Sequence, residues 1–141
     1  MKIVKPIALC LFFFTSILIA KSQTENAQTN GKDSSDMPEI SFKKVIHDYG
    51  KIKQGSDGSC VFFFTNTGKK NLVLGNVASS CGCTVPTWPR DTIKPGCRNA
   101  IKVVYDTKRL GHFEKVITVM SNAKTNIVEL HIKGIVKKQK K

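Results

Sequence analysis

The sequence predicts an all-β protein, an immunoglobulin-like sandwich of two antiparallel sheets with about seven strands. Three observations predict it. Apolar residues recur at every second position in short runs, the period of a strand with one buried face. Clusters of Gly, Pro, Asn, Asp and Ser separate those runs. The patterned stretch, residues 39–136, is close to the roughly 100 residues of such a sandwich. Within it no run carries the 3.6-residue period of an amphipathic helix.

The elements follow in order. Ile40-Ser41-Phe42 and Val45 to Ile52 read as a first, broken strand, interrupted near Asp48-Tyr49-Gly50. Gln54 to Gly58 is a turn. Cys60, Phe62 and Phe64 share one face of the next strand, with Val61 and Phe63 on the other. Asn66-Thr67-Gly68-Lys69 closes it, with Gly68 expected to supply a positive φ. Leu72 to Val77 is a third strand. Lys94-Pro95-Gly96 has the form of a type II turn, Pro pre-setting φ and Gly following it. Ile101, Val103 and Tyr105 alternate with Lys102. Phe113, Lys115, Ile117 and Val119 share a face of the next strand, and Val128, Leu130 and Ile132 alternate with charged or polar residues in the last. Burying a Phe or Ile side chain contributes roughly 1.5–3 kcal/mol. A dozen such residues suffice to drive two sheets together, and the opposite parity should face water.

The flanks are different. Residues 1–22 have the form of a secretory signal peptide: Lys2 and Lys5, an apolar run from Pro6 to Ala20, then Ala20 and Ser22 as the small residues of a cleavage site. The run falls short of the roughly 20 residues that span a bilayer. Cleavage before Gln23 removes Cys10, and bulky Leu9 argues against lipidation there. Residues 23–38 are polar and read as a disordered spacer. Residues 137–141 read as a mobile basic tail. Export, to the periplasm or outside the cell, implies an oxidising compartment. Four cysteines then remain, Cys60, Cys81, Cys83 and Cys97, and the sequence leaves their pairing open.

The net charge is +13 over 141 residues. Lys2, Lys5 and Lys21 leave with the leader, so the mature part keeps +10. An exported protein meets little nucleic acid, so none is expected as a partner. Anionic membrane surface, acidic glycan or an envelope protein is the partner class this charge fits. Lys69, Lys70 and the terminal lysines form a solvated basic rim.

Chemistry could reside in Cys81-Gly82-Cys83, and three readings stay open. The sulfurs, free or paired, could pin the loop after the third strand. A disulfide in so small a ring could serve redox exchange. Two thiolates could bind a soft ion, Cu or Zn, but a closed site needs further ligands, which Cys60 or His112 would supply. Alternating strand directions place Cys60, Cys81 and Cys83 at one end of the sandwich and Cys97 at the other, some 15–20 Å away. That layout excludes a Cys60–Cys97 bond, which needs Cα atoms within about 7 Å. His47 and His131 read as surface strand residues. Trp88 caps its loop against the core or offers a ring to a ligand. Asp91, Asp106, Glu114 and Glu129 form no catalytic pair, no serine sits in a nucleophile elbow, and no Gly-rich phosphate loop follows a strand.

Several pieces, taken together, carry a resemblance: Asp48-Tyr49-Gly50-Lys51-Ile52, Phe62 to Gly68, Ser80-Cys81-Gly82-Cys83-Thr84, Trp88-Pro89, Ile93-Lys94-Pro95-Gly96, Ser121-Asn122-Ala123 and Ile132-Lys133-Gly134. In this order and spacing they resemble a widespread family of small exported bacterial proteins, a domain of unknown function akin to Hydin-type and major-sperm-protein-type domains. The resemblance implies a seven-strand sandwich, export and no catalytic chemistry. Cys60 and Cys97 stand outside its pattern. The expectation is a non-enzymatic binding or structural module of the cell envelope, without cofactor. The alternative is a thiol-redox or soft-metal protein centred on Cys81 and Cys83.

Overall fold

The structure is a computed structural model that describes residues 36–138. The leader, all but the last three residues of the spacer, and the final three lysine-rich positions lie outside the described residues. Eight strands are present: β1 Ile40–Phe42, β2 Ile46–Lys53, β3 Ser59–Asn66, β4 Leu74–Ser79, β5 Thr84–Thr87, β6 Arg98–Tyr105, β7 Gly111–Ser121 and β8 Ile127–Lys137. They form two sheets, ordered β1-β3-β6-β5 and β2-β8-β7-β4. All neighbours are antiparallel except β2 and β8, which run parallel.

The alternation translates directly into two stacked layers. Phe62, Phe64, Ile101, Val103 and Tyr105 of the first sheet are buried, as are Phe113, Ile117, Val119, Leu130 and Ile132 of the second. Tyr105 and Phe113 stack across the interface with ring centroids 3.8 Å apart. Tyr49 leans on Phe113 and donates its hydroxyl to the Gly58 carbonyl at 2.7 Å, tying the second sheet to the first. Gly134 leaves room for this cluster, because a Cβ there would press on the Phe113 ring and on Tyr49.

The structure departs from the expected layout in five respects. There are eight strands rather than about seven. Thr84–Thr87, expected as loop, is an edge strand on β6. Edge placement tolerates Pro86, which cannot donate to a ladder. The first broken strand breaks at Lys43 to Val45, and its halves join different sheets, which makes the β2–β8 pair parallel. At Asp48-Tyr49-Gly50 the chain stays in the sheet but its register shifts, with Gly50 at φ 61°. The third strand starts at Leu74, and Leu72 instead forms a separate bridge to Ile93.

The two turns differ in mechanism. Gly96 has φ 76°, and Cys97 N–H donates to the Lys94 carbonyl at 3.1 Å, as the Pro-Gly pair predicts. Gly68 has no positive φ. It is needed because Met37, Pro38 and Glu39 pass against it, where a Cβ would overlap their backbone. Backbone bonds fasten Met37 and Pro38 to the sandwich as well. Lys69 N–H donates to Met37 O at 3.2 Å and Lys124 N–H to Pro38 O at 2.9 Å. At the other end β8 runs through Lys137, whose carbonyl accepts from Gln54 N–H at 2.8 Å.

Asn66 closes β3 as a fully buried side chain, 0 % exposed. Its Nδ2 donates to the Lys70 and Ile93 carbonyls at 2.8 and 2.9 Å, and its Oδ1 accepts from Gly68 N–H at 3.1 Å. Asn66→Ala takes the side-chain partner from the Lys70 carbonyl and from the Gly68 and Glu39 amides, leaves the Ile93 carbonyl with only Leu72 N–H, and should cost about 2–4 kcal/mol. Asn66→Asp should cost at least as much, because it places a carboxylate against two carbonyl oxygens. Urea unfolding checks both. A midpoint shift worth less than about 0.5 kcal/mol would remove Asn66 from its structural role.

Candidate functional site

Two regions bear on function: the cysteine-bearing end of the sandwich and the outer face of the first sheet. At the first, Cys81 and Cys83 are joined in a disulfide, with Cα atoms 5.3 Å apart. The bond lies where the chain passes from β4 in one sheet to β5 in the other. Cys83 is buried, and its carbonyl accepts from Asp106 N–H at 2.9 Å. The Thr84 hydroxyl lies 4.0 and 3.9 Å from the two sulfurs.

Cys60 and Cys97 are free thiols, the first buried and the second exposed. Cys60 faces Val103 on β6, whereas Cys83 bonds to Asp106 beyond the end of that strand. Two strand spacings across and three residues along separate them by about 14 Å, beyond disulfide reach. Cys97 bonds Asn66 at the far end of β3, about 20 Å from Cys60. Burial pushes the Cys60 thiol up from its ordinary value, with the Tyr49 hydroxyl and the Lys44 charge opposing.

The proposed metal set of Cys81, Cys83 and His112 is not assembled. The two sulfurs are bonded to each other, and among the described residues no three His, Cys, Asp or Glu side chains gather to hold an ion. His112 lies inside β7, opposite Ile135. His47 is on β2, edge-on to Tyr49 at 4.4 Å, and takes a hydrogen bond from Lys44 Nζ at 2.9 Å. Burial and the lysine hold its ring below the usual histidine range. His131 is half-buried on β8. Trp88 is half-buried against the core with Arg90 over its ring at 3.8 Å. Its Nε1 is buried without a partner.

The second region is the outer face of the sheet that holds β3. β3 is apolar on both faces: Phe62 and Phe64 point inward, Val61 and Phe63 outward. Phe63 is 56 % exposed. Its cross-strand neighbour is Ala100, and Val61 faces Lys102. Val104 and Val85, paired on β6 and β5, continue the apolar surface and are exposed. Two depressions flank Phe63. One, of about 510 Å³, is lined by Ser41, Phe42, Lys43, Phe64, Thr65 and Arg98 together with Phe63. The other, of about 320 Å³, is lined by Lys43, Lys44, Val61 and Phe63. An aromatic ridge between two hollows with a basic rim has the composition of a recognition surface. The unbroken run Val61-Phe62-Phe63-Phe64 was its signal in the sequence.

Fold and site together define a small immunoglobulin-like sandwich with one apolar, basic-rimmed outer face. Among the described residues no histidine ring is hydrogen-bonded to a hydroxyl, thiol or carboxylate. The chain belongs to the family DUF1573, proteins of unknown function, whose pattern matches residues 40–136. No curated protein matches it in sequence. Its fold is similar to that of a Porphyromonas gingivalis W83 protein of unknown function, with TM-score 0.64 and 16% identity over 72% of this chain and 48% of that one. The chain thus spans about half the length of that protein. The ASH/PapD-like domain 7 of human CEP192 superposes with TM-score 0.62 and 5% identity, covering 74% of this chain and 89% of the domain. The CsuC–CsuE chaperone–tip adhesion subunit complex of Acinetobacter baumannii contains a match with TM-score 0.50 and 12% identity, over 70% of this chain and 57% of the other. At such identities the likeness is one of fold.

Two predictions follow from the sulfurs and the buried hydroxyls. In the folded protein, an alkylating reagent should modify Cys97 alone among the four cysteines of the described residues. Cys60 should react only after unfolding, and Cys81 and Cys83 only after reduction, as read by mass. The folded state should also weaken in alkali. Burial raises Cys60, Tyr49 and Tyr105 above their ordinary values of 9.0, 10.0 and 10.0. The unfolded chain therefore ionises first, and stability falls as pH rises past 9 and further past 10. Cys60→Ala should remove the earlier part of that fall in urea titrations repeated across pH.

Proposed function

We propose that the protein is an exported, non-enzymatic binding module of the cell envelope, which holds a partner protein against the outer face of its first sheet. The exposed Phe63 between two hollows carries this reading. A soluble sheet face is ordinarily polar, and a large aromatic left in water at its middle is the feature that core packing does not require. The leader read from the sequence supports export. The Acinetobacter complex supports protein binding, since a chain of this fold occurs there in a complex of a chaperone with a tip adhesion subunit. The Cys81–Cys83 bond serves this reading as a staple of the crossover between sheets.

A photo-crosslinking residue placed at position 63 tests the proposal. In the protein's own envelope fraction it should trap a discrete protein adduct, while the same group at Glu129, exposed on the second sheet, should not. Equal trapping at both positions, or none at 63, would remove the outer face as the binding surface. Phe63→Ser should abolish the adduct formed by a crosslinker at Val61 and leave the unfolding midpoint within about 0.5 kcal/mol of the parent.

A further inference from the structure

The outer face is continuous with a backbone edge that nothing in the described residues covers. β1 is the outermost strand of its sheet. Thr67 N–H donates to Glu39 O at 2.9 Å, and Lys43 N–H donates to Phe63 O at 3.0 Å. In an antiparallel pair the bonding residues alternate. Glu39, Ser41 and Lys43 therefore turn their backbone groups toward β3, and Ile40 and Phe42 turn theirs off the sheet edge. The larger hollow is lined by Ser41, Phe42 and Lys43 of this same strand. It runs from Phe63 on the face to the open edge.

We propose that this edge takes an acidic, extended segment of the partner protein, which adds to the sheet beside β1. The inference rests on the binding reading above and names the partner's chemistry. An added strand pairs with the free amide and carbonyl groups of Ile40 and Phe42. Its side chains alternate: one set lies beside Ser41 and Lys43 over the larger hollow, the other against Phe42 at the mouth between the sheets. Phe42 is half-buried there, its ring 5.5 Å from that of Phe64. The charges fix the sign. Lys43 and Lys44 line the smaller hollow and Arg98 the larger, while Lys102 faces Val61. The acid nearest along the strand is Glu39. A segment carrying Asp or Glu between apolar residues meets this rim with complementary charge.

Two other occupants fit less well. A second copy would bring an identical basic rim against this one. A lipid surface would attract the lysines, but it offers no strand to the free backbone groups, which are costly to leave unpaired away from water.

Three probes test the proposal on the whole processed chain: a short peptide alternating glutamate and valine around a central phenylalanine, the same peptide with lysine for glutamate, and phosphatidylglycerol vesicles. The acidic peptide should bind and slow amide exchange at Ile40 and Phe42. The lysine peptide should not bind. Lys43→Glu with Lys44→Glu should weaken the acidic peptide by about tenfold or more and leave the unfolding midpoint unchanged. Failure of the acidic peptide to bind, binding without slowed exchange at Ile40 and Phe42, or binding to vesicles alone overturns the proposal. Adducts at position 63 that persist while the acidic peptide fails would sink this inference and leave the binding reading standing. Loss of those adducts as well would sink both.

Discussion

The sandwich depends on the parity of β3. Phe62 and Phe64 are buried at its centre, and Ile101 and Val103 of the neighbouring β6 are buried beside them. A slip of β3 by one residue would turn Phe62 and Phe64 outward, away from Ile101 and Val103, and bring Val61, Phe63 and Thr65 inside. In most strands the apolar pattern alone forbids that slip. In β3 it does so only weakly, because Val61 and Phe63 are themselves apolar. The ends must therefore hold the register. At one end Tyr105 N–H donates to Gly58 O at 2.9 Å. At the other, Asn66 uses its backbone N–H on Cys97 O and its carbonyl on Gly96 N–H, while its side chain grips the Lys70 and Ile93 carbonyls. A buried asparagine with every bond made is costly to misplace, and cost of that kind specifies a single register.

The second constraint is the way the chain moves between sheets. It does so five times in the part described, and two of these crossings, from β1 to β2 and from β4 to β5, contrast in construction. The first crossing is made by Lys43, Lys44 and Val45, all exposed, so it draws nothing from the core. The second is made by the segment that contains the Cys81–Cys83 bond. A short covalent ring stiffens a crossing that otherwise has few backbone partners. The two devices also differ in consequence. The stapled crossing leads into β5, which pairs along its whole length with β6. The unstapled one follows a strand of three residues with an open edge.

Much of this was legible in the sequence, for a definite reason. Burial with a period of two is a one-dimensional signal. Cys60, Phe62, Phe64, Ile101, Val103, Tyr105, Phe113, Ile117, Val119, Leu130 and Ile132 all lie inside, on the parity their spacing predicts. Partnership between strands is a different kind of information. Nothing in Ile40-Ser41-Phe42 and Ile46 to Lys53 says that they belong to different sheets, since each has an acceptable pattern alone. β5 was hidden because Thr84-Val85-Pro86-Thr87 is short, contains proline and sits between a disulfide loop and Trp88-Pro89. Gly68 was read through its own φ, whereas the constraint comes from Met37 to Glu39, some 30 residues earlier in the chain. Asn66 was visible as a turn residue, but its burial was not. The cysteines could be placed by strand direction, and the bond itself could not be chosen from spacing.

The outer face is the remaining step. A strand in a two-layer fold needs one apolar side, and β3 has two. Its inner side is fully used, with Phe62 and Phe64 at most 1 % exposed. The outer side therefore contributes nothing to the core, and it weakens the very register on which the core depends. It also leaves an aromatic ring in water. A feature that adds nothing to packing and works against register calls for a compensating gain elsewhere, and contact with another molecule is the physical source of one. The neighbours of Phe63 narrow that source. Lysines and an arginine line the hollows beside it rather than acids, and the adjoining strand ends after three residues with backbone groups unmatched. Each of these follows from a different part of the sequence, and they meet at one place on the molecule.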